Sequence, residues 1–183
     1  MRAFIRSAAS VGALLAAVLL SACAPADVRL ADAEVVHVSR SALLEDPDKL
    51  PDSGYLSTGQ PTSEVLDLIA EAGYTAVVDL RGEDEDRGID ERAEVEARGM
   101  RYVSLPTPDL AAATPAQAAT LAGILEEIEG PVLLHCFGGN RVGSLFALEA
   151  LNEGESAEAA LAFGERAGLS RWREGIKEKL QSQ

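Results

Sequence analysis

Strand-like and helix-like hydrophobic patterns alternate along this chain from about residue 34 to its end. Val35 to Val38 reads as a short strand, and Gly54-Tyr55-Leu56-Ser57 as another. Gly59-Gln60-Pro61-Thr62 has the composition of a turn and opens a helix with Val65, Leu66, Leu68 and Ile69 on one face, ending near Gly73. Thr75 to Leu80 is a buried-strand run broken by Asp79. A helix near Asp90 to Ala97 follows an acidic loop and stops at Gly99. Arg101 to Leu105 alternates as a strand and runs into Pro106-Thr107-Pro108-Asp109. Thr114-Pro115-Ala116-Gln117 predicts a capping box, with Pro at the first helical position and Gln two places later. Pro131 to His135 is the last apolar strand, followed by a glycine loop and a helix through about Leu151. Helices near Ser156 to Arg166 and Leu169 to Leu180 close the chain. In the last, Trp172, Ile176 and Leu180 form an i, i+4, i+8 docking stripe.

Strands alternating with helices of ten to fifteen residues imply βαβ units. The predicted fold is therefore α/β and three-layered, a mostly parallel sheet of about four strands flanked by helices. In such sheets ligands bind beyond the carboxyl ends of the strands. Asp109, Cys136 and Arg81 with its acidic loop all stand there.

The first residues follow a different pattern. Arg2 and Arg6 precede an apolar run, Val11 to Leu20, which is shorter than the roughly 20 residues needed to span a bilayer. It fits the h-region of a signal peptide and ends in Leu20-Ser21-Ala22-Cys23, similar to a bacterial lipobox. We therefore expect a signal peptide over residues 1–22, lipid on Cys23, a tether over 23–33 and one domain over 34–183. The expected location is the bacterial cell envelope, at the periplasmic face of the outer membrane. The membrane would be met only through the N-terminal lipid, since two or more acyl chains anchor stably. The alternative is ordinary cleavage with Cys23 left as a thiol.

The chain carries 30 Asp and Glu against 16 Lys and Arg, a net charge of −14. Such a surface repels nucleic acid and anionic headgroups. A small anionic or phosphorylated substrate must then be drawn by a local positive site. The chain holds two cysteines. If Cys23 carries lipid, Cys136 has no disulfide partner, and its role is set by its neighbours.

Those neighbours are His135-Cys136-Phe137-Gly138-Gly139-Asn140-Arg141. A thiol ends a buried strand, and two glycines let successive N–H groups curl inward as an anion nest. Arg141 and Gly143 begin a helix, adding its positive end and a guanidinium at the same place. Such a cradle stabilises an oxyanion and, by the same field, a thiolate. The bland alternative is a glycine-rich turn with a buried cysteine. His135 is either a hydrogen-bonding support for the loop or a satisfied core histidine. Asp109, 27 residues before Cys136 on a Pro-Thr-Pro loop, is a candidate general acid or a plain turn residue. Asp79 is read as organising its strand end, and Glu83 to Asp86 as a solvated loop. With no clustered ligand set evident in sequence, neither a metal nor an organic cofactor is expected.

The 135–143 stretch resembles the loop of cysteine-dependent protein phosphatases, His-Cys-x-x-Gly-x-x-Arg-Ser/Thr-Gly. The beta-lactamase-hydrolase-like branch of that superfamily is the closer resemblance, over roughly residues 54 to 168. Its marks are Tyr55 to Pro61, Val77 to Arg81 and Pro131 to Cys136. The resemblance implies a phosphatase-like fold, Cys136 as nucleophile, Arg141 and the amides of residues 137 to 141 as phosphate binders, and Asp109 as acid and then base. Two departures stand out. Four residues separate Cys136 from Arg141 where the phosphatases have five, a spacing similar to that of single-domain rhodaneses. Val142 replaces the hydroxyl residue that helps the cysteine leave its phospho-intermediate, which implies slow turnover. Sulfur transfer through a Cys136 persulfide and a lipid-tethered pseudophosphatase that only binds anions are the rival readings.

Overall fold

The computed structural model describes residues 29–182. The signal segment and Cys23 lie outside them. Five parallel strands form one sheet: β1 (Val35–His37), β2 (Tyr55–Thr58), β3 (Ala76–Asp79), β4 (Arg101–Ser104) and β5 (Val132–His135). Their order is β1-β2-β5-β3-β4. The expected count of about four becomes five because the short Val35–His37 strand does pair, with Tyr55 to Ser57.

Residues alternate between the two faces of this sheet, as the twofold period of a strand requires. Ala76, Val78, Val132 and Leu134 enter the larger core. It is closed by α4 (Pro115–Glu126), α5 (Asn140–Asn152), α6 (Ala157–Arg166) and α7 (Arg173–Gln181). Leu56, Val77 and Leu133 face the smaller core under α1 (Arg40–Glu45), α2 (Ser63–Glu71) and α3 (Glu91–Ala97). The middle strands are thus buried on both sides, as parallel strands generally are. Among the described residues no helix is long and apolar enough to cross a membrane.

Two local expectations need correction, and one helix left no readable pattern. Thr114 caps α4 by accepting from the Gln117 N–H at 3.1 Å, but the box is not reciprocal. The Gln117 side chain instead donates to the Pro106 carbonyl at 3.1 Å and the Thr107 hydroxyl at 3.4 Å, tying α4 to the 106–113 segment. The last helix starts at Arg173 rather than Leu169. The N–H groups of Ser170 and Trp172 are both taken by Asn140 Oδ1, at 3.0 and 3.2 Å, which holds 170–172 as a turn. The helix α1, capped by Ser39 and anchored by the fully buried Leu43, has only six residues, too few to display a period.

Gly143 and Gly164 let α5 and α6 pack against each other. A Cβ on Gly143 would run into the Leu169 N–H and the Gly164 carbonyl, and one on Gly164 into the Gly143 carbonyl. This close approach fixes where α5 begins and so where the loop before it sits.

Candidate active site

Every strand points its carboxyl end toward one edge of the sheet, and the 136–139 loop leaves from the central strand β5. Gly139 takes φ +84°, the left-handed region that glycine enters without steric cost, and serves as the N-cap of α5. Its N–H is directed at Cys136 Sγ at 3.1 Å. A β-bridge between Gly59 and Gly138 pins the outer side of the loop to the end of β2. The Tyr55 to Pro61 stretch therefore has a mechanical role: Gly59 lacks the Cβ that would press on the Phe137 carbonyl.

Cys136 is 2 % exposed and lies in a cavity of about 390 Å³. The cavity is lined by Glu85, Phe137, Gly138, Asn140, Arg141 and the 170–172 turn. Asn140, expected among the anion-binding residues, spends its side-chain oxygen on that turn and so builds one cavity wall. Phe137 is 70 % exposed at the lip, with the Arg81 guanidinium 5.8 Å from its ring centre.

Arg141 reaches this cavity held by a carboxylate. Its Nη1 donates to Glu85 Oε1 at 2.5 Å and to the Leu80 carbonyl at 3.2 Å, and its Nη2 to Glu85 Oε2 at 2.9 Å. Glu85 also accepts from Arg81 Nε at 3.1 Å and from the Gly82 N–H at 2.7 Å. The acidic run read as a solvated loop is corrected at this residue. Burial alone would push the Glu85 carboxyl up, but the hydrogen bonds from Arg141, Gly82 and Arg81 outweigh it and hold the carboxyl down to about 2. An arginine and a carboxylate four residues apart, Arg81 and Glu85, was the available sequence signal. The planar guanidinium fork explains the paired geometry.

Behind the loop, on the α2–α3 face, is a buried polar cluster. His135 Nε2 stands 2.7 Å from Glu91 Oε1 and 3.5 Å from Asp79 Oδ1. The Glu91 approach is an electrostatic contact rather than an aligned hydrogen bond, and Nδ1 has no hydrogen-bond partner among the described residues. His135 thus meets carboxylates, and with neither ring nitrogen in an aligned hydrogen bond it is not a satisfied core histidine. Asp79 accepts from the Arg81 N–H at 2.8 Å, Arg87 Nε at 2.6 Å and the Tyr102 hydroxyl at 2.7 Å, and so does organise its strand end. Gln60 bridges the cluster to the site, donating to Glu91 at 2.9 Å and accepting from Arg81 at 2.6 Å.

The absence of a clustered ligand set, as read from sequence, is also corrected. Asp79, Glu91 and His135 converge from three elements, with ligand atoms within 4.8 Å of one another. Arg87, bonded to Asp79 and 3.8 Å from Glu91, already supplies a cation there and opposes a second one.

Asp109 is exposed and accepts from the Ala112 N–H at 2.9 Å, closing a turn. It is not among the residues lining the Cys136 cavity. Its segment runs close to the start of the acidic loop and to the last helix. A Cβ on Gly82 would lie 3.9 Å from Pro108, and one on Gly175 would lie 2.5 Å from Leu110.

A thiol under an inward N–H, at the foot of a helix rising from a buried parallel strand, defines a domain of the cysteine-dependent phosphatase type. Solved structures share this fold. One from Neisseria meningitidis, described as a phosphatase candidate, is 21 % identical, with 68 % of this chain and 92 % of that one covered and a TM-score of 0.56. Tk-PTP in its active form is 23 % identical, with 73 % and 98 % covered and a TM-score of 0.54. A Shewanella putrefaciens protein of similar description is 17 % identical, with 76 % and 97 % covered and a TM-score of 0.50. Residues 25–173 match the family described as DSP-PTPase phosphatase fused to NAD+ kinase, and the chain belongs to that family. No curated protein sequence matches it.

Proposed function

We propose that this chain hydrolyses phosphoesters through a phosphocysteine on Cys136. The observation that carries the reading is the Gly139 N–H aimed at Cys136 Sγ in a cavity that also presents Arg141. The thiolate attacks phosphorus and the ester oxygen leaves. The loop amides and Arg141 take the equatorial oxygens, and water then attacks phosphorus to release phosphate and the thiolate. The leaving oxygen needs a proton. Glu85 faces the cavity but is held ionised by its two arginines, so it is a poor acid. Asp109, exposed beyond the carboxyl end of β4 with a carboxylate that makes one hydrogen bond in a turn, is the better candidate.

Asp109→Asn is therefore expected to slow hydrolysis of an alkyl phosphate by on the order of 10²–10⁴, and of para-nitrophenyl phosphate much less. A leaving group of low pKa needs no proton. Steady-state kinetics on both esters measure the contrast; equal loss on the two would make Asp109 a turn residue only.

The second chemical step is expected to be slow. Val142 is fully buried and has no hydroxyl, and the Ser144 hydroxyl is spent on the Asn140 carbonyl at 2.7 Å. A thiosulfate–cyanide assay run beside the phosphatase assay separates this reading from sulfur transfer, and silence in both would favour a binding role alone.

We further place the enzyme outside the cytoplasm, tethered by lipid on Cys23, on the strength of Leu20 to Cys23. Palmitate labelling of the whole protein should be lost in Cys23→Ala; label retained there would remove the anchor from the account.

A further inference from the structure

In this acidic protein the arginines are mostly spoken for. Among the described residues, every arginine except Arg40, Arg166 and Arg171 lies within ion-pair distance of a carboxylate. Arg166 is packed over the Phe163 ring, 5.0 Å from its centre. The other two are exposed and flank the catalytic loop. Arg171 lines the Cys136 cavity. Arg40 lines a second cavity of about 330 Å³, with His37, Ser39, Ser41 and Gln60, and its one hydrogen bond is to the Gln60 carbonyl at 3.3 Å.

Phe137 and Gly138 line both cavities. The two chambers are therefore neighbours, and Phe137, which they share, is 70 % exposed. His37 shares the second chamber, with Nδ1 3.1 Å from the Ser57 hydroxyl. Burial lowers its basicity, which leaves Arg40 as that chamber's cation. With carboxylates in nearly twofold excess, two guanidiniums without a carboxylate partner in adjoining cavities make a local positive field on a negative molecule. The exposed ring of Phe137, which lines both cavities, offers a flat apolar face to whatever spans the two.

We propose that the Arg40 cavity is a second anion subsite, and that the substrate is a phosphoester bearing a second anionic group across an aromatic or apolar body that rests on Phe137. This deepens, and rests on, the reading of Cys136 as the phosphoryl acceptor. The scissile phosphate enters beside Cys136, Arg141 and Arg171. The second group, a phosphate or a carboxylate, meets Arg40 and whichever hydroxyl of the hydrogen-bonded Ser39–Ser41 pair is left to donate.

The test compares phenyl phosphate, meta-phenylene bisphosphate and meta-carboxyphenyl phosphate as substrates of the full chain. The two doubly anionic esters should be preferred in kcat/KM, and the stronger preference tells which second group the subsite takes. Arg40→Gln should cut the ratio of bisphosphate to phenyl phosphate on the order of tenfold, since a charge-assisted hydrogen bond is lost. Arg40→Lys should retain more of the ratio. The same three compounds are titrated calorimetrically into the Cys136→Ser protein. Turnover with no preference, unchanged by Arg40→Gln, would overturn the subsite and leave the phosphatase reading standing. No turnover, but tighter bisphosphate binding that Arg40→Gln removes, would overturn the phosphatase reading and uphold the subsite.

Discussion

Cys136→Ser is expected to abolish turnover, lowering kcat by at least about 10⁴, while the protein still binds inorganic phosphate. Sγ is the only reacting atom that the substitution changes. The cradle around it consists of backbone and Arg141, held independently by the Gly59–Gly138 bridge and by Glu85. A serine hydroxyl is a far weaker nucleophile than a thiolate, yet it leaves the same N–H groups pointing inward. Phosphate binding by calorimetry, with turnover measured beside it, separates loss of chemistry from loss of the site. If the variant keeps more than a few per cent of the activity, Cys136 does not take the phosphoryl group.

Glu85→Ala should damage stability and catalysis together. It removes the shared acceptor of two guanidinium groups and of the Gly82 N–H. Breaking a fully buried ion pair costs about 3–5 kcal/mol; Glu85 is 27 % exposed, so about 2 kcal/mol is expected here. Arg141, no longer aimed, should lower kcat/KM by on the order of 10². The acid limb follows from the same contacts. Glu85 titrates near 2 when folded, against an ordinary 4.5, so it favours the folded state through its charged form. That contribution is complete above pH 4.5 and is lost as pH falls from there through 2. Denaturant midpoints measured across this window should fall less steeply for Glu85→Ala than for wild type. Parallel curves would mean that Glu85 contributes nothing through its charge.

The sheet and the nucleophile loop were legible because each writes a local pattern. Apolar runs of four to six residues between turns give the middle strands. A thiol and two glycines before an arginine give a cradle whatever surrounds it. What escaped is what only folding brings together. Glu85 looks like one acid among several in a polar run, and its distinction is that Arg81 and Arg141, 60 residues apart in sequence, converge on it. Glu91 looks like an ordinary first-turn acid of α3, yet it is buried against His135 because the start of α3 meets the end of β5. Asn140 reads as a loop polar residue, and its pinning of Ser170 and Trp172 depends on α6 returning close beside α5. Asp109 carries the opposite lesson. Its position at a strand end was readable, but its side chain is engaged in a turn and is not part of the cavity lining.

In turnover phosphorus should become bonded to Cys136. With Val142 where a hydroxyl would speed release, the intermediate should accumulate. Rapid mixing of the full chain with excess para-nitrophenyl phosphate, quenching in acid within the first turnover and peptide mass spectrometry test this directly. The account predicts a burst of nitrophenol close to one equivalent and a phosphoryl group on the peptide that carries Cys136, absent from Cys136→Ser. Steady release of nitrophenol with no burst, and with that peptide unmodified at every quench time, would contradict it.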